Sequence, residues 1–168
     1  DAMAEAARGL VFVDGQLVIH DVNVTDEIRT PAVTADVSRV SAVPQVRRVI
    51  QQKQREMSGR LVAEGRDIGT VVFPEADVKV FLDASLSERA RRRHRQAPAL
   101  DFEEYRQRIA KRDHLDSTRE DSPLVRAGDA VGIDTSTLTI EEVVEQITAL
   151  VRQRMKAKNE GVDAASAG

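Results

Sequence analysis

The feature that most constrains the fold is an alternation of short apolar runs with capped helical segments. The runs LVAEG at 61–65, VKVFLDAS at 78–85 and AVGIDTS at 130–136 show little of the polar alternation of a half-buried strand. Continuous runs of this kind are typical of strands that are buried on both faces of a parallel sheet. We therefore predict an α/β fold with a parallel sheet, in which ligands bind beyond the carboxyl ends of the strands.

Residues that cap helices follow these runs. Ser85 stands three residues before Glu88, which is a capping box, and this predicts a helix over 86–96. Asp101 is expected to begin the next helix and Thr139 to begin the last one. The last helix has one apolar face, formed by Ile140, Val143, Val144, Ile147, Leu150 and Val151.

The first third of the chain has a different pattern. Asp14-Gly15 separates two apolar runs within 10–21, which is the strongest short-range signal for a β-hairpin. A small antiparallel sheet is therefore expected over about 10–30. Helices are predicted over 31–42 and from Pro44 to Met57.

Composition excludes several classes of protein. The 168 residues suit one domain, and 25 basic against 28 acidic side chains give a net charge of −3. This charge, with an aromatic content of 3%, argues against a protein that binds nucleic acid over its whole surface. The absence of cysteine excludes disulfide frameworks, thiolate metal sites and cysteine nucleophiles. Apolar runs such as Leu10 to Val13 are too short to span a membrane.

Basic charge is concentrated in one part of this acidic chain. Residues 85–119 contain ten Arg or Lys and six Asp or Glu. Three interpretations fit the arginine run in this segment: a solvated helix face, a nucleic-acid patch, or a clamp for polyphosphate, since planar guanidinium groups bind phosphate oxygens in pairs. The run consists of Arg89, Arg91, Arg92, Arg93 and Arg95.

A second basic group lies further along the chain. Arg112, Asp116 and Arg119 are spaced four and three residues apart, so they share one face if the helix persists that far. Two arginines flanking an aspartate can hold a phosphate and a sugar hydroxyl. A ladder of ordinary ion pairs fits the same spacing, so both interpretations remain open.

Three segments together resemble the cytidylate kinases of bacteria, a family of nucleoside-monophosphate kinases. They are EGRDIGTVVFPEADVKVFLDAS, ERARRR and KRDHLDSTR, and VSRVSAVPQVR is similar too. The resemblance runs from about Asp1 to Leu150. It implies a phosphate-loop kinase fold of the three-layer α/β class: a parallel sheet with flanking helices, a small antiparallel β insert in the monophosphate-binding region, and a helical lid. It also implies transfer of the γ-phosphoryl group of ATP, with Mg²⁺, to CMP or dCMP.

The resemblance implies which residues recognise the base. Ser38, Arg47 and Asp67 match positions that address the cytosine ring. A carboxylate accepts from the exocyclic amino group of cytosine, and Arg or Ser donates to its ring acceptors, so the residue types suit the base. Asp67 also fits a helix cap, and Ser38 also fits an exposed helix residue.

The resemblance further implies which residues contact the sugar and phosphates. Arg66 and Arg119 would lie near the transferring phosphates, and Arg112 with Asp116 near the ribose and phosphate. The expected catalytic residues are Arg66, Arg112 and Arg119, with Asp116 a CMP-binding residue. The resemblance also puts arginines at the start of the lid, where they would face the donor nucleotide. These are Arg92 and Arg93. No residue is implied as a metal ligand.

The resemblance also implies a division of the chain. Residues 1–60 would bind CMP, 61–84 and 126–156 would form the core, and 85–125 would form the arginine-rich lid. Residues 157–168 lose periodicity and are expected to be a disordered tail. A cytoplasmic monomer with no membrane or stable nucleic-acid partner is implied.

The sequence departs from the family in two respects. The family's phosphate loop, G-x-x-x-x-G-K-[ST], has no counterpart, and neither do the strand and helix that flank it. HRQAPALDF also predicts a shorter lid. Two expectations stay open: the chain is part of a longer kinase, or it is a degenerate homologue that binds CMP without catalysis. An RNA-binding module on the arginine helix is a third, which the scarcity of aromatic residues disfavours.

Overall fold

The structure, a computed structural model, describes residues 2–13, 15–57 and 59–166. Within these ranges it leaves a few side chains undescribed, namely those of 31, 34, 35, 38 and 161–166. The chain forms two compact units. The first comprises Asp1–Glu64 with Arg119–Asp121, and the second comprises Gly65–Thr118 with Ser122–Gly168. The expected functional roles of 1–60, 61–84, 85–125 and 126–156 stay predictions.

In the described residues, the first unit combines three α-helices with a small antiparallel sheet that ends at Asn23, followed by a one-turn 3₁₀ helix at Glu27–Arg29 in place of the sheet expected there. Its helices are α1, α2 and α3, over Ala2–Arg8, Pro31–Ser41 and Pro44–Arg55. Its strands β1, β2 and β3, over Leu10–Val13, Gln16–Ile19 and Val22–Asn23, pair in that order. The core of the unit is small and lies where α1 meets α3. Its buried side chains are Ala4, Ala7, Val46 and Gln51.

The predicted hairpin is confirmed. Val13 pairs with Gln16, which leaves a two-residue turn, and Gly15 in that turn has φ of +79°. This left-handed conformation is the one that a tight hairpin turn requires and that glycine adopts without steric cost. Asp14, the other turn residue, lies outside the described residues.

The second unit is α/β with a parallel sheet, as predicted. β4 (Val80–Asp83) and β5 (Val131–Asp134) pair in parallel, with Val80 opposite Val131 and Asp83 opposite Asp134. Three helices accompany them, α4 (Leu86–Gln96), α5 (Phe102–Thr118) and α6 (Ile140–Ser166), and a single wide turn of π type spans Ile68–Val72. Side chains buried in this unit include Val72, Ala84, Ala90, Tyr105, Ala130 and Ile133.

All the predicted helix starts in this unit are confirmed. The Ser85 hydroxyl accepts from the Glu88 amide at 3.2 Å, which fixes the start of α4. Asp101 caps α5 in the same way, because its Oδ1 accepts from the Glu104 amide at 2.8 Å. At the start of α6, Thr139 Oγ1 accepts from the Glu142 amide at 3.2 Å. These contacts satisfy amide groups that have no partner within a helix.

The expected strand at 61–65 is wrong. Residues 61–64 have no regular secondary structure, and Val62 is 100% exposed. A strand is stabilised by hydrogen bonds to a neighbouring strand. Among the described residues, the parallel sheet consists of β4 and β5, and neither pairs with this segment.

The expected loss of structure after Lys156 is not observed either. α6 continues to Ser166, so residues 157–166 are helical. Lys156 and Glu160 form an i,i+4 pair at 3.9 Å, and Lys158 Nζ lies 2.9 Å from Asp77 Oδ1. Straight-chain charged residues such as Lys156, Lys158 and Glu160 have good helix propensity, so they can extend the helix as far as Glu160 beyond its apolar face.

Candidate functional site

Three of the predicted site residues meet at the carboxylate of Asp116. Arg66 Nε donates to Asp116 Oδ2 at 2.9 Å, although the two residues are 50 positions apart. Arg112 Nε lies 3.8 Å from the same oxygen. The Asp116 side chain is 17% exposed and that of Arg66 is 44% exposed. The structure therefore forms a cluster with two guanidinium groups and one carboxylate, which we call the Asp116 cluster.

The predicted face of Arg112, Asp116 and Arg119 is only partly formed. α5 ends at Thr118, so Arg112 and Asp116 share a helix face but Arg119 follows the helix end. Arg119 belongs to the first unit, with Glu120 and Asp121. The spacing argument required a helix that continued to Arg119, and this condition is not met.

Arg119 and Arg47, both predicted site residues, line one cavity of the first unit. The cavity has a volume of about 230 Å³. It is lined by Ala42, Pro44, Arg47, Arg119, Glu120 and Asp121. The Arg47 Nη2 atom also donates to the Ser41 carbonyl at 2.7 Å, which satisfies a carbonyl group at the end of α2. Pockets for whole drug-sized ligands are typically about 300–1,000 Å³, so this cavity suits a single ring or a phosphate group.

Asp67 directly precedes the wide turn at Ile68–Val72. Its carbonyl oxygen accepts from the amides of Val71 and Val72 at 2.9 and 3.2 Å. Its carboxylate makes no capping hydrogen bond to this turn. The structure therefore does not support the interpretation of Asp67 as a side-chain helix cap.

Two other predicted residues contribute less to the geometry. Ser38 lies in α2, but its side chain is outside the described residues. Arg93 is exposed on α4. Their expected roles stay predictions.

Most of the arginine run is directed towards one carboxylate. The Glu88 side chain is 14% exposed and accepts from Arg91, from Arg92 Nε at 3.0 Å and from Arg95 Nη2 at 3.4 Å. The hydrogen bond from Arg91 is the main reason that the pKa of Glu88 lies below its ordinary value, with a further lowering from Arg92 and an opposing effect of desolvation. Glu88 is the one acidic side chain of α4 against five arginines, so it pairs with several of them while the helix stays net positive.

Arg92 also joins α4 to the segment that follows β5. Its Nη1 donates to Thr135 Oγ1 at 3.0 Å, and its Nη2 donates to the Thr135 carbonyl. Thr135 Oγ1 in turn donates to the Asp83 carbonyl at 2.9 Å, at the end of β4. The pKa of the neighbouring Asp134 is lowered, chiefly because the Ser136 hydroxyl donates to its carboxylate. Arg92 thus lies at the carboxyl end of the parallel sheet, the edge where α/β folds bind ligands.

Arg89 is the member of the run that contacts α5. Its Nη1 lies 2.6 Å from Asp113 Oδ2, and its Nε donates to the Ala84 carbonyl at 3.0 Å. Each of the two paired side chains is about one-third exposed, at 34% and 31%. Arg89 therefore links the end of β4, the first turns of α4, and α5.

Sequence reasoning missed the acidic partners of these arginines. Glu88 was interpreted as a helix-capping residue, although its spacing of three and four residues from Arg91 and Arg92 indicates ion pairs. Asp113 lies 24 positions from Arg89, and no local signal connects them. Glu120 and Asp121 of the cavity were also not singled out.

Two kinds of feature are absent from the described residues. No group of three or more His, Asp or Glu side chains in this part of the chain is arranged to hold a metal ion. Within the same residues, no helix is both long enough and apolar enough to cross a membrane.

Comparison with known proteins points to one family. The sequence model of the family described as cytidylate kinase matches residues 2–153. The cytidylate kinase of Carboxydothermus hydrogenoformans is 48% identical over 148 residues, which cover 84% of this chain and 67% of that protein. The cytidylate kinase of Geobacter sulfurreducens is 50% identical over 141 residues, which cover 80% of this chain and 60% of that protein.

A protein with a second activity in its description also matches. The bifunctional pantoate ligase/cytidylate kinase of Synechococcus sp. (strain CC9605) is 48% identical over 147 residues, which cover 83% of this chain and 31% of that protein. The chain therefore spans about two thirds or less of the length of these three relatives.

Proposed function

Because the chain belongs to the cytidylate kinase family, we propose that the protein transfers the γ-phosphoryl group of ATP to CMP or dCMP. The observation that carries this proposal is the Asp116 cluster. Arg66, Arg112 and Asp116 come from two distant segments that the family resemblance assigns to the sugar and phosphates, and both arginines lie within hydrogen-bond or ion-pair distance of the Asp116 carboxylate. A group of this composition suits a nucleoside monophosphate, which presents both hydroxyl groups and a dianionic phosphate.

Phosphoryl transfer requires positioning and charge neutralisation more than covalent catalysis. In the proposed reaction, the guanidinium groups of Arg66 and Arg112 neutralise charge on the acceptor and transferring phosphates. Asp116 accepts a hydrogen bond from the ribose and keeps both arginines near the phosphate. Each well-directed arginine contributes on the order of 10²–10³ in rate, by analogy with other donors to a developing anion.

Recognition of cytosine is proposed for the residues that the resemblance assigns to the ring. The Asp67 carboxylate would accept from the exocyclic amino group, while Arg47 and Ser38 donate to ring acceptors. Uracil has a carbonyl at the position of that amino group, so Asp67 would face another acceptor. Arg119, beside Arg47 in the cavity of the first unit, would contact a phosphate oxygen.

The donor nucleotide is proposed to bind on the side of α4, where Arg92 lies at the carboxyl end of the sheet. Arg93 is proposed to face the same nucleotide. Magnesium is expected to arrive with ATP, since this ion keeps several waters and takes phosphate oxygens as ligands. We propose no residue of the chain as a ligand of this ion. We further propose a cytoplasmic monomer whose β1–β3 sheet belongs to the CMP-binding region and whose α4 and α5 belong to the lid.

A coupled assay with ATP, magnesium and CMP on the whole gene product tests the proposed reaction. We expect ADP to form only when CMP or dCMP is present. If CMP raises the melting temperature but no ADP forms, the protein binds CMP without catalysis. If CMP neither binds nor reacts, the proposed function is wrong.

Base specificity provides a second test. Asp67→Asn replaces a carboxylate oxygen with an amide that can donate to the uracil carbonyl. We expect the preference for CMP over UMP to fall by about tenfold or more, since one well-formed polar contact to a base is worth about 1–3 kcal/mol of discrimination. Arg60→Lys, an exposed substitution, serves as the control. An unchanged ratio of the two affinities would exclude Asp67 from base recognition.

A further inference from the structure

One arginine forms an ion pair between α4 and α5. Arg89 Nη1 donates to Asp113 on α5, and its Nε donates at the same time to the Ala84 carbonyl at the end of β4. Among the ion pairs of the described residues, this is the one that links α4 to α5. The other paired arginines of the run, Arg91, Arg92 and Arg95, bind Glu88 on their own helix.

The position of Asp113 on α5 gives this link a functional consequence. Asp113 follows Arg112 directly and stands three residues before Asp116, so Asp113 and Asp116 are neighbours on the helix surface. Successive residues of an α-helix are rotated by about 100°. Fixing Asp113 therefore sets the rotation of α5 about its axis, and with it the directions of Arg112 and Asp116.

The fork of Arg89 is suited to this task. A guanidinium group presents several donors in a rigid plane, so it can hold a carbonyl and a carboxylate in a fixed relation. Ala84, whose carbonyl it binds, is 6% exposed and is one of the buried residues of the second unit. The link therefore fixes α5 relative to the end of β4 in the parallel sheet.

We propose that Arg89 and Asp113 are positioning residues for the nucleotide site, which orient Arg112 and Asp116 through the link between α5 and the end of β4. The proposal rests on the proposed function, because it assumes that the Asp116 cluster binds CMP. In this proposal, neither residue contacts the substrate itself.

Arg89→Lys tests this proposal, because lysine keeps the charge but has no planar fork for two acceptors. We expect the CMP dissociation constant, measured by calorimetry well below the melting temperature, to rise by about tenfold, since a small misplacement of binding groups has effects of this order or larger. Asp113→Asn is a second variant with the same expected direction. Arg91→Lys is the control, since Arg91 pairs only within α4 among the described contacts, and we expect no change in affinity.

A double-substitution cycle separates positioning from general stability. We expect the effects of Arg89→Lys and Arg112→Lys on CMP affinity to be strongly non-additive, whereas those of Arg91→Lys and Arg112→Lys add. If both Arg89→Lys and Asp113→Asn lower the melting temperature but leave CMP affinity unchanged, the link is only structural and the proposal is wrong. If the unsubstituted protein does not bind CMP, the proposed function fails, and this inference fails with it. If Arg89→Lys and Asp113→Asn both bind CMP as tightly as the unsubstituted protein, this inference is wrong but the proposed function is unaffected.

Discussion

The packing of α4 should be sensitive to the loss of a single methyl group. Ala90 lies in the middle of α4 and is 0% exposed. Ala90→Gly removes its methyl group from a closed environment and puts a glycine into a helix interior. Ala110, which is exposed within α5, provides the matched control, because Ala110→Gly has the same effect on helix propensity without the loss of buried surface.

The expected magnitudes follow from these two exposures. Loss of one buried methyl group costs about 0.8 kcal/mol, and glycine in a helix interior costs about 1 kcal/mol relative to alanine. We therefore expect Ala90→Gly to lower the free energy of unfolding by about 2 kcal/mol and Ala110→Gly by about 1 kcal/mol. For a chain of this size, 2 kcal/mol corresponds to a decrease in melting temperature of about 4–8 °C.

Urea denaturation followed by the helical circular dichroism signal measures both variants. The slope of the free energy of unfolding against urea concentration should be the same for both variants. The difference between their urea midpoints then measures the difference in stability directly. A cost for Ala90→Gly equal to or smaller than that for Ala110→Gly would contradict the reasoning, since the burial of Ala90 would then contribute nothing. Retention of CMP affinity in both folded variants would show that the site survives the loss of stability.

Two further predictions concern the same helices. The pKa of Glu88 is lowered from its ordinary value of 4.5. Its ionised form therefore stabilises the fold fully at pH values above 4.5, and this contribution is lost as the pH falls through the lowered pKa. In Glu88→Gln, melting temperatures measured from pH 3 to pH 6 should therefore show less loss on acidification than in the unsubstituted protein; an equal loss would contradict the assignment. Tyr105 donates its hydroxyl to the Ala97 carbonyl, so Tyr105→Phe should lower the free energy of unfolding by about 1 kcal/mol in urea denaturation, and an unchanged value would show that water replaces the bond.

Local sequence signals predicted much of the fold. The Asp14-Gly15 dipeptide identified the hairpin, and Ser85, Asp101 and Thr139 identified three helix starts. These signals succeed because the interactions they describe join residues only two to four positions apart. The apolar runs of β4 and β5 were recognisable because strands buried in a parallel sheet need no polar face.

The errors have a different origin. The run at 61–65 has the composition of a strand, but strand formation depends on a partner that the run itself does not specify. α6 extends beyond the end of its apolar face, and as far as Glu160 exposed helix formers and an ion pair support it. Hydrophobic periodicity identifies helices that bury one face, so it does not predict a helical segment that is exposed on all sides.

The candidate site was predicted residue by residue only through the family resemblance. Spacing alone connected Arg112 with Asp116 but gave no indication that Arg66 would bind the same carboxylate from 50 positions away. The partner of Arg89 on α5 was equally beyond local reasoning. Pairs of this kind depend on the tertiary packing of distant segments, which no local pattern in a single sequence predicts.

The parallel pairing of β4 with β5 also has a consequence for the kinetics of folding. The contact between Ser85 and Ser136, at the ends of these strands, joins residues 51 positions apart. The entropy lost on closing such a segment rises with the logarithm of its length, and non-local contacts of this kind slow folding. α4 and α5 lie within this segment and pack on each other, so we expect their early association to bring the two strands closer before they pair. If the helix pair belongs to the folding nucleus, Ala90→Gly in α4 slows folding more than it accelerates unfolding.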